Sequence, residues 1–573
     1  MFQRPYVWNQ EDQWDPLWDD IEAVADRLLT NGENDLSPHF LGAIVVAQQH
    51  TATGDLDLRH IVDGQQRLTT VQLLLDAAEE VIHLHGDDRD SRRLRKLVLN
   101  DQELFEGDRL FKVWPTNVDR DAFRAAMDND SIVPDDYMDR RIAQAHDVFK
   151  KKVSYWADVH GDPEKCTERL TALTTVLIRY LQVVVIDLTP DDDDQIIFET
   201  LNARGTPLLA SDLVKNYLLR EIEGQNLNAE LLYHDHWLDF DTEHWRKEVV
   251  LGRLRWPRVD AFLYSWMVME LARDVSTQRM FSEFLALARG SERGPTGIMV
   301  DLARFGKIYD HLDSFLEDSS SSGRFFYRWR TMQVSVLTPL LMWIYSNEDV
   351  LGDEQVARSL EMLESWMVRR MVCRSSTRGH GQFLYSLLKE LKAAPREAFA
   401  SVLSDRLLKE SADAGGWPSD TQFKTAIVEN PLYRQLTRSR LRMVLEAIED
   451  HLREVSGKTE ESCPKNLTVE HVMPQQWEVA WPLAGDSDGV AMERRGILLH
   501  TLGNLTLVNE KLNPALSNSK WSEKKPALVK HSVLHLKDDI VEAFDWDEGS
   551  ILERGERLAE IVCEIWTRSE DPS

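Results

Sequence analysis

Hydrophobic positions divide the chain into three stretches with different periods. Up to about residue 225, short runs rich in Val, Ile and Leu alternate with helical segments. Residues 40–47 (FLGAIVVA), 58–62 and 181–188 (LQVVVIDL) read as strands, because β-branched residues crowd them. A helix beginning at Leu68 carries Val71, Leu74, Leu75 and Ala78 on one face. From about 226 to 420 the pattern is helical, with weakly amphipathic stretches broken by polar loops at 318–323 and 414–419. The longest apolar run, 334–345, contains Ser335, Thr338 and Pro339, so it reads as a buried helix or strand and not as a membrane span. Beyond 421, a helix over Arg438–Val455 leads into a short strand-and-loop region and then a helical tail.

A chain of 573 residues exceeds what one hydrophobic core supports. The expected fold class is therefore α+β, multidomain and mainly helical, with domains at 1–225, 226–420 and 421–573 and the middle one setting the spacing of the ends. The charged fraction of 29% and hydrophobic fraction of 43% are those of a soluble globular protein. No basic segment followed by an apolar core opens the chain, which predicts a cytoplasmic location without a membrane anchor. Cys166, Cys373, Cys463 and Cys563 lie far apart, which argues against a zinc site or a disulfide framework.

The net charge of -30 narrows the partners. Non-specific DNA affinity comes mainly from phosphate contacts, so a chain this acidic needs a local feature before it binds nucleic acid well. Two basic regions stand out. Lys511, Lys520, Lys524, Lys525 and Lys530 fall between 501 and 531 against Glu510 and Glu523. Arg369, Arg370, Arg374, Arg378 and His380 form a second cluster, read more readily as a salt-bridged helix face than as a DNA contact.

The chemistry-bearing residues concentrate near the C-terminal end. The sequence runs Leu467-Thr468-Val469-Glu470-His471-Val472-Met473-Pro474, then Leu502-Gly503-Asn504-Leu505-Thr506-Leu507, then Asn513 and Asn518 ahead of a Lys-rich helix. Phosphodiester hydrolysis needs a base for water, a cation for the leaving oxygen and donors for the phosphate. His471 can serve as the base, with Asn504 orienting its ring. Glu470 and Asn513 offer the oxygen ligands that Mg²⁺ or Mn²⁺ prefers. Lys520, Lys524 and Lys525 can meet the DNA backbone. The competing reading is that His471 caps a strand and the asparagines make turns. Three elements in this order resemble the ββα-metal (HNH) nucleases, with Glu470 where Asp is commoner.

A second constellation lies near the start. Ile61-Val62-Asp63-Gly64-Gln65-Gln66-Arg67-Leu68 sits where a strand turns into a helix. Gly64 permits the tight turn, and the helix start and Arg67 favour an anion. A buried Arg67–Asp63 pair is the structural alternative. Phe2-Gln3-Arg4-Pro5-Tyr6-Val7-Trp8 opens the chain, and Phe198-Glu199-x-x-Asn202-x-x-Gly205-x-x-Leu208 leads into Ser211-Asp212-Leu213-Val214-Lys215-Asn216. With the DGQQR turn these motifs resemble the N-terminal domain of the GmrSD and SspE family of modification-dependent restriction enzymes, whose C-terminal domain carries the EH…GNL…N pattern.

The resemblance spans roughly residues 1–225 and 421–573. It implies a ParB-like N-terminal domain that binds and hydrolyses GTP or ATP through Asp63, Gly64, Gln65, Gln66 and Arg67. It also implies that Gln3, Arg4, Tyr6 and Trp8 line a pocket sensing modified DNA, though Phe2, Tyr6 and Trp8 could equally be core aromatics. Family members commonly have a short strand before this block, whereas here it begins at residue 2, through a start placed too late or a truncation; a missing edge would weaken nucleotide or DNA sensing. The expected partners are double-stranded DNA carrying a modified base or a phosphorothioate, a nucleoside triphosphate and a further copy of the chain. Two other readings stay open. One is a nucleotide-binding regulator or scaffold with a decayed nuclease domain, which intact Glu470, His471, Asn504 and Asn513 disfavour. The other is an RNA-cleaving toxin using the same site.

Overall fold

The computed structural model describes all residues except 1–5, 33–35, 50, 52–54, 116–118, 129–133, 159–160, 189–208, 252–253, 315–319, 411–414, 458–461, 465, 480, 484–488, 510–518, 532–533 and 569–573. Gln3, Arg4, Asn513, Asn518 and the segment from Phe198 to Leu208 lie outside the described residues. The chain is mainly helical with small sheets, and it forms two compact units, 1–242 and 243–573.

In the first unit, helix α1 (Asp15–Asn31) precedes strand β1 (His39–Gln48), strand β2 (Arg59–Asp63) and helix α2 (Gln65–Leu84). Helices α3 (Arg141–Ala157) and α4 (Pro163–Thr175) lead to strand β3 (Leu181–Leu188) and helix α5 (Ala210–Gly224). The three strands fall where the Val/Ile-rich runs predict them. They form one sheet in the order β2-β1-β3, with β1 antiparallel to β2 and parallel to β3. The parallel pairing requires a long crossover, and the intervening helices supply it. Helix α2 begins three residues earlier than Leu68 and is buried on more than one face, with Leu73 and Ala77 joining Leu74, Leu75 and Ala78 in the core. It packs with α1, α3 and α4 around Trp14, Trp18, Phe149 and Trp156.

In the second unit, a hairpin of β4 (Glu248–Leu251) and β5 (Leu254–Pro257) precedes helix α6 (Arg258–Leu271). The apolar run near 340 is a helix, α7 (Thr338–Ser346), with Pro339 in its first turn, where a missing N–H costs nothing. Helices α8 (Asp353–Val372), α9 (Asp420–Glu429) and α10 (Arg438–Val455) come next. Strands β6 (Leu467–His471) and β7 (Leu505–Asn509) pair antiparallel, with Glu470 opposite Thr506 and His471 opposite Leu505. Helices α11 (Trp521–His531) and α12 (Glu548–Ile565) complete the unit.

The helical middle and the C-terminal segment share one unit, whereas the composition shift near 420 suggests a boundary. A buried cation is one of the ties between them. Arg369 on α8 is fully buried, donating to Trp566 O at 2.8 Å and Pro418 O at 3.1 Å and pairing with Asp420 at 2.7 Å. Its neighbour Arg370 donates to Gly416 O and Ser376 O. These two arginines therefore cap carbonyls between segments and do not form an exposed basic face.

Candidate active site

Strand β6 ends in Glu470-His471, and both side chains are buried. The Lys524 ammonium on α11 reaches across to Glu470 Oε1 at 2.9 Å and His471 O at 2.5 Å, and is itself fully buried. Burial pushes the Glu470 carboxyl up, partly offset by the Lys524 charge, and pushes the Lys524 ammonium down. Lys524 is thus the counter-ion of the EH motif and not a DNA-backbone contact. Its companions differ. Lys525 donates to Ala543 O at 2.7 Å and lies 5.9 Å from the Trp521 ring centroid, while Lys520 is exposed.

Asn504, just before β7, is completely buried and makes four side-chain hydrogen bonds. Its Oδ1 accepts from Met473 N at 2.8 Å and from Trp546 Nε1 at 3.0 Å. Its Nδ2 donates to Met473 O at 2.9 Å and Leu499 O at 3.0 Å. An amide offers two donors and two acceptor lone pairs, so this one is saturated. It fixes the turn after β6 to the segment around 499, and does not hold the His471 ring directly. The preceding Gly503 has its own reason. A Cβ there would lie 2.1 Å from Ile551 O on α12, so only glycine admits this close approach. The same helix sends fully buried Arg554 to Gly503 O and Leu505 O, both at 2.8 Å, and to Leu536 O at 3.1 Å.

His471 faces a partner that the motif does not include. Its Nε2 lies 3.3 Å from Nδ1 of His500, and both rings are buried. Tyr433 completes an aromatic cluster, edge-on to His471 at 4.2 Å and stacked on His500 at 5.7 Å. The backbone joins in, with Tyr433 N donating to His500 O at 3.0 Å. Arg438, at the start of α10, lays its guanidinium over the Tyr433 ring and donates to Tyr433 O. Arg434 and Arg438 are exposed, and their charges act on both imidazoles. Burial, then His500, Lys524, Arg438 and Arg434, push His471 down to about 3. Burial, then Arg434 and Arg438, push His500 down to about 4. Both rings are therefore neutral at physiological pH.

His500, Tyr433, Arg434 and Arg438 are additions to the residues that sequence reasoning selects. His500 stands four positions before Asn504, a spacing that could have drawn notice. Tyr433, Arg434 and Arg438 come from before β6 and carry no local signature.

The side chains gathered here suit a divalent ion poorly. Among the described residues no three His, Cys, Asp or Glu side chains gather as a metal site would require. Glu470 is engaged by Lys524, and Asn513 lies outside the described residues. The described side chains thus do not fit a complete site for a hard cation.

At the N-terminal constellation, β2 ends at Asp63 opposite Val45, and Gly64 adopts φ +90° before α2 begins. A Cβ on Gly64 would lie 2.5 Å from Ile44 Cγ2, so both the backbone and the space demand glycine. Gln66 accepts from Val7 N at 2.8 Å. Arg67 lies against Gly42 and donates to Ala43 O, the neighbouring strand's backbone and not Asp63. Tyr6 is buried, stacked on Trp14 and bonded through its hydroxyl to Thr70 Oγ1 at 2.5 Å and Trp14 Nε1 at 2.9 Å. Trp8 packs partly buried against the same core. Gln65 is half-buried at the first position of α2. The Asp63 side chain has no hydrogen-bond partner among the described residues. Further on, Lys215 of the SDLVKN motif is fully buried and bonds Asp241 at 2.9 and 3.1 Å.

No match is found among curated proteins. Among the described residues, no helix is long and apolar enough to cross a membrane. Two family models do match: the GmrSD restriction endonuclease N-terminal domain over residues 1–219, and the C-terminal domain of GmrSD restriction endonucleases over residues 417–561. Together they take in more than half of the chain, and the second contains the whole Glu470–His471–His500–Asn504–Lys524 assembly. The chain belongs to the GmrSD restriction endonuclease family.

Proposed function

We propose that this chain is a DNA endonuclease acting in restriction of foreign DNA, with His471 as its general base and the N-terminal unit selecting modified DNA. The observation that carries the reading is a neutral imidazole at a strand end, beside two exposed arginines, inside a region matching a restriction-endonuclease domain. Arg434 and Arg438 suit the scissile phosphate, since guanidinium groups bind phosphate bidentately. His471 then takes the proton from the attacking water, and the phosphorus–oxygen bond to the leaving sugar breaks as the new one forms.

Substrate binding also tunes the base. A general base works best with a pKa near the operating pH, and about 3 is too low. A bound phosphate offsets the charges of Arg434 and Arg438 and so raises the basicity of His471. No step is assigned to a metal, because the described donors do not complete a site for one.

The DGQQR turn is proposed as the place where GTP or ATP engages the N-terminal unit, through the start of α2, Asp63 and Gln65. Sensing of a modified base or phosphorothioate is assigned to the same unit. The net charge of -30 supports selectivity, because it leaves little non-specific attraction to plain DNA. The deciding test is plasmid cleavage by the full chain on unmodified and differently modified DNA, with and without GTP and ATP. His471→Ala should abolish cutting, and one modified DNA should be preferred. Equal cutting of all plasmids would remove the sensing element, and cleavage of RNA alone would replace the substrate class.

A further inference from the structure

The assignment of His471 as base leaves open which of its two nitrogens accepts the proton, and the geometry decides it. The Nε2···Nδ1 separation of 3.3 Å between His471 and His500 requires one ring to donate to the other. If His500 Nδ1 carried the hydrogen, His471 would accept at Nε2 and hold its own proton on Nδ1, leaving no lone pair for water. If His500 Nδ1 is the acceptor, His471 carries its proton on Nε2, and its Nδ1 is free to act. Only the second arrangement makes His471 a base.

We infer that His500 is a positioning residue: it accepts from His471 Nε2–H through Nδ1 and so fixes His471 in the tautomer whose Nδ1 can take a proton from water. The inference rests on the proposed nuclease reading and deepens it. Three features hold His500 in place. Its carbonyl accepts from Tyr433 N, its ring stacks on the Tyr433 ring, and the Asn504 amide ties Leu499 O to both backbone groups of Met473. Leu499 adjoins His500, and Met473 is two residues from His471. Asn504 therefore brackets the imidazole pair from the backbone without touching either ring. Arg434, Arg438 and Lys524 disfavour a cationic ring, so one of the two facing nitrogens carries the hydrogen and the other accepts it.

The test compares His500→Asn, His500→Gln and His500→Leu in the full-length protein. Asn places an acceptor oxygen near the position of Nδ1, Gln places its amide further out, and Leu has no acceptor. Cleavage of a susceptible plasmid should persist in His500→Asn within severalfold of wild type. It should fall roughly 10²-fold in kcat for His500→Leu, with KM nearly unchanged, and fall comparably in His500→Gln. Because a packing defect could also lower kcat, the tautomer is read directly. In ¹⁵N-histidine-labelled protein, with His471 assigned by its loss in His471→Asn, the wild type and His500→Asn should show protonated Nε2 and bare Nδ1. His500→Leu should lose that preference.

A wild-type His471 protonated on Nδ1, or a His500→Leu variant retaining both tautomer and kcat, overturns the inference. If His500→Leu does not fold, rescue by Asn but not by Gln still decides. The nitrogen shifts do not depend on cleavage, so the tautomer stands or falls separately from the nuclease reading, which fails if His471→Ala cuts normally.

Discussion

The DGQQR turn and the EH strand end make opposite use of the residues around them. At the turn, Gln66 holds Val7, Arg67 holds Ala43 and Tyr6 is locked on Trp14 and Thr70, so the eye-catching side chains stitch the unit to itself. The helix start with Asp63 and Gln65 stays available. At the strand end, Glu470, Lys524 and Asn504 are equally engaged, yet their combined effect is to present one neutral imidazole. A motif can thus be mostly scaffold in both places and differ only in the group that the scaffold leaves over. One leaves a backbone cradle and the other a titratable ring.

The largest effect separates these two outcomes. His471→Ala should lower plasmid cleavage by about 10²–10⁴-fold while leaving nucleotide binding by the first unit unchanged. Asp63→Ala should do the reverse, lowering nucleotide affinity in calorimetry without altering cleavage of pre-bound DNA. If both variants lose both properties, the division of labour between the units is wrong.

Next in size is the buried pair. Glu470→Gln strands the Lys524 ammonium, and breaking a buried pair costs on the order of 3–5 kcal/mol. A clearly lower melting temperature is expected by calorimetry. If cleavage requires Mg²⁺, the concentration giving half-maximal cleavage should not move, because Glu470 serves Lys524. A large rise in that concentration would instead make Glu470 a metal ligand, as the motif alone suggests.

The two essential glycines offer a closer match. Gly503→Ala drives a Cβ into the α12 backbone, whereas Gly64→Ala meets the Ile44 side chain at a positive φ. Backbone yields less readily than a methyl group, so Gly503→Ala should be the more destabilising. It should also cost cleavage, whereas Gly64→Ala should affect only nucleotide binding and the stability of its own unit. Equal effects on cleavage would sink the distinction.

A further effect is on pH. His471 and His500 sit near 3 and 4 in the folded chain, against an ordinary 6.5. Between 6.5 and about 4 the unfolded chain binds protons that the folded one refuses, so stability declines as pH falls through that window. Above 6.5 neither ring contributes. Each contributes at most about 1.4 kcal/mol per pH unit. The melting temperature of wild type should therefore drop more steeply between pH 6.5 and 5 than that of the His471→Asn, His500→Asn double variant.

Much of this was legible in the sequence, and the reasons divide cleanly. Val/Ile-rich runs located β1, β2 and β3, because strand burial is written in local composition. Arg438–Val455 fell where its periodicity put it. Gly64 was readable as a turn glycine, since a strand meeting a helix needs one. Gly503 was not, because its cause is a helix some fifty residues later in the chain. Lys524 read as a surface cation for want of any local sign that Glu470 would cover it. Tyr433, Arg434, Arg438 and His500 join the site through tertiary packing alone, and no period or spacing announces that. The shared unit of the middle and C-terminal regions was hidden for the same reason, since Arg369 reaches carbonyls about fifty and two hundred positions away.

Arg554 gives the order of synthesis a meaning. It supports the carbonyls of Gly503, Leu505 and Leu536 from a helix made after both strands of the site. A nascent chain that has exposed β6 and β7 but not α12 has His471 without the guanidinium that braces the turn beside it. On an elongating chain the β6–β7 pair is therefore made before its brace, and its final packing waits for residues 548–565.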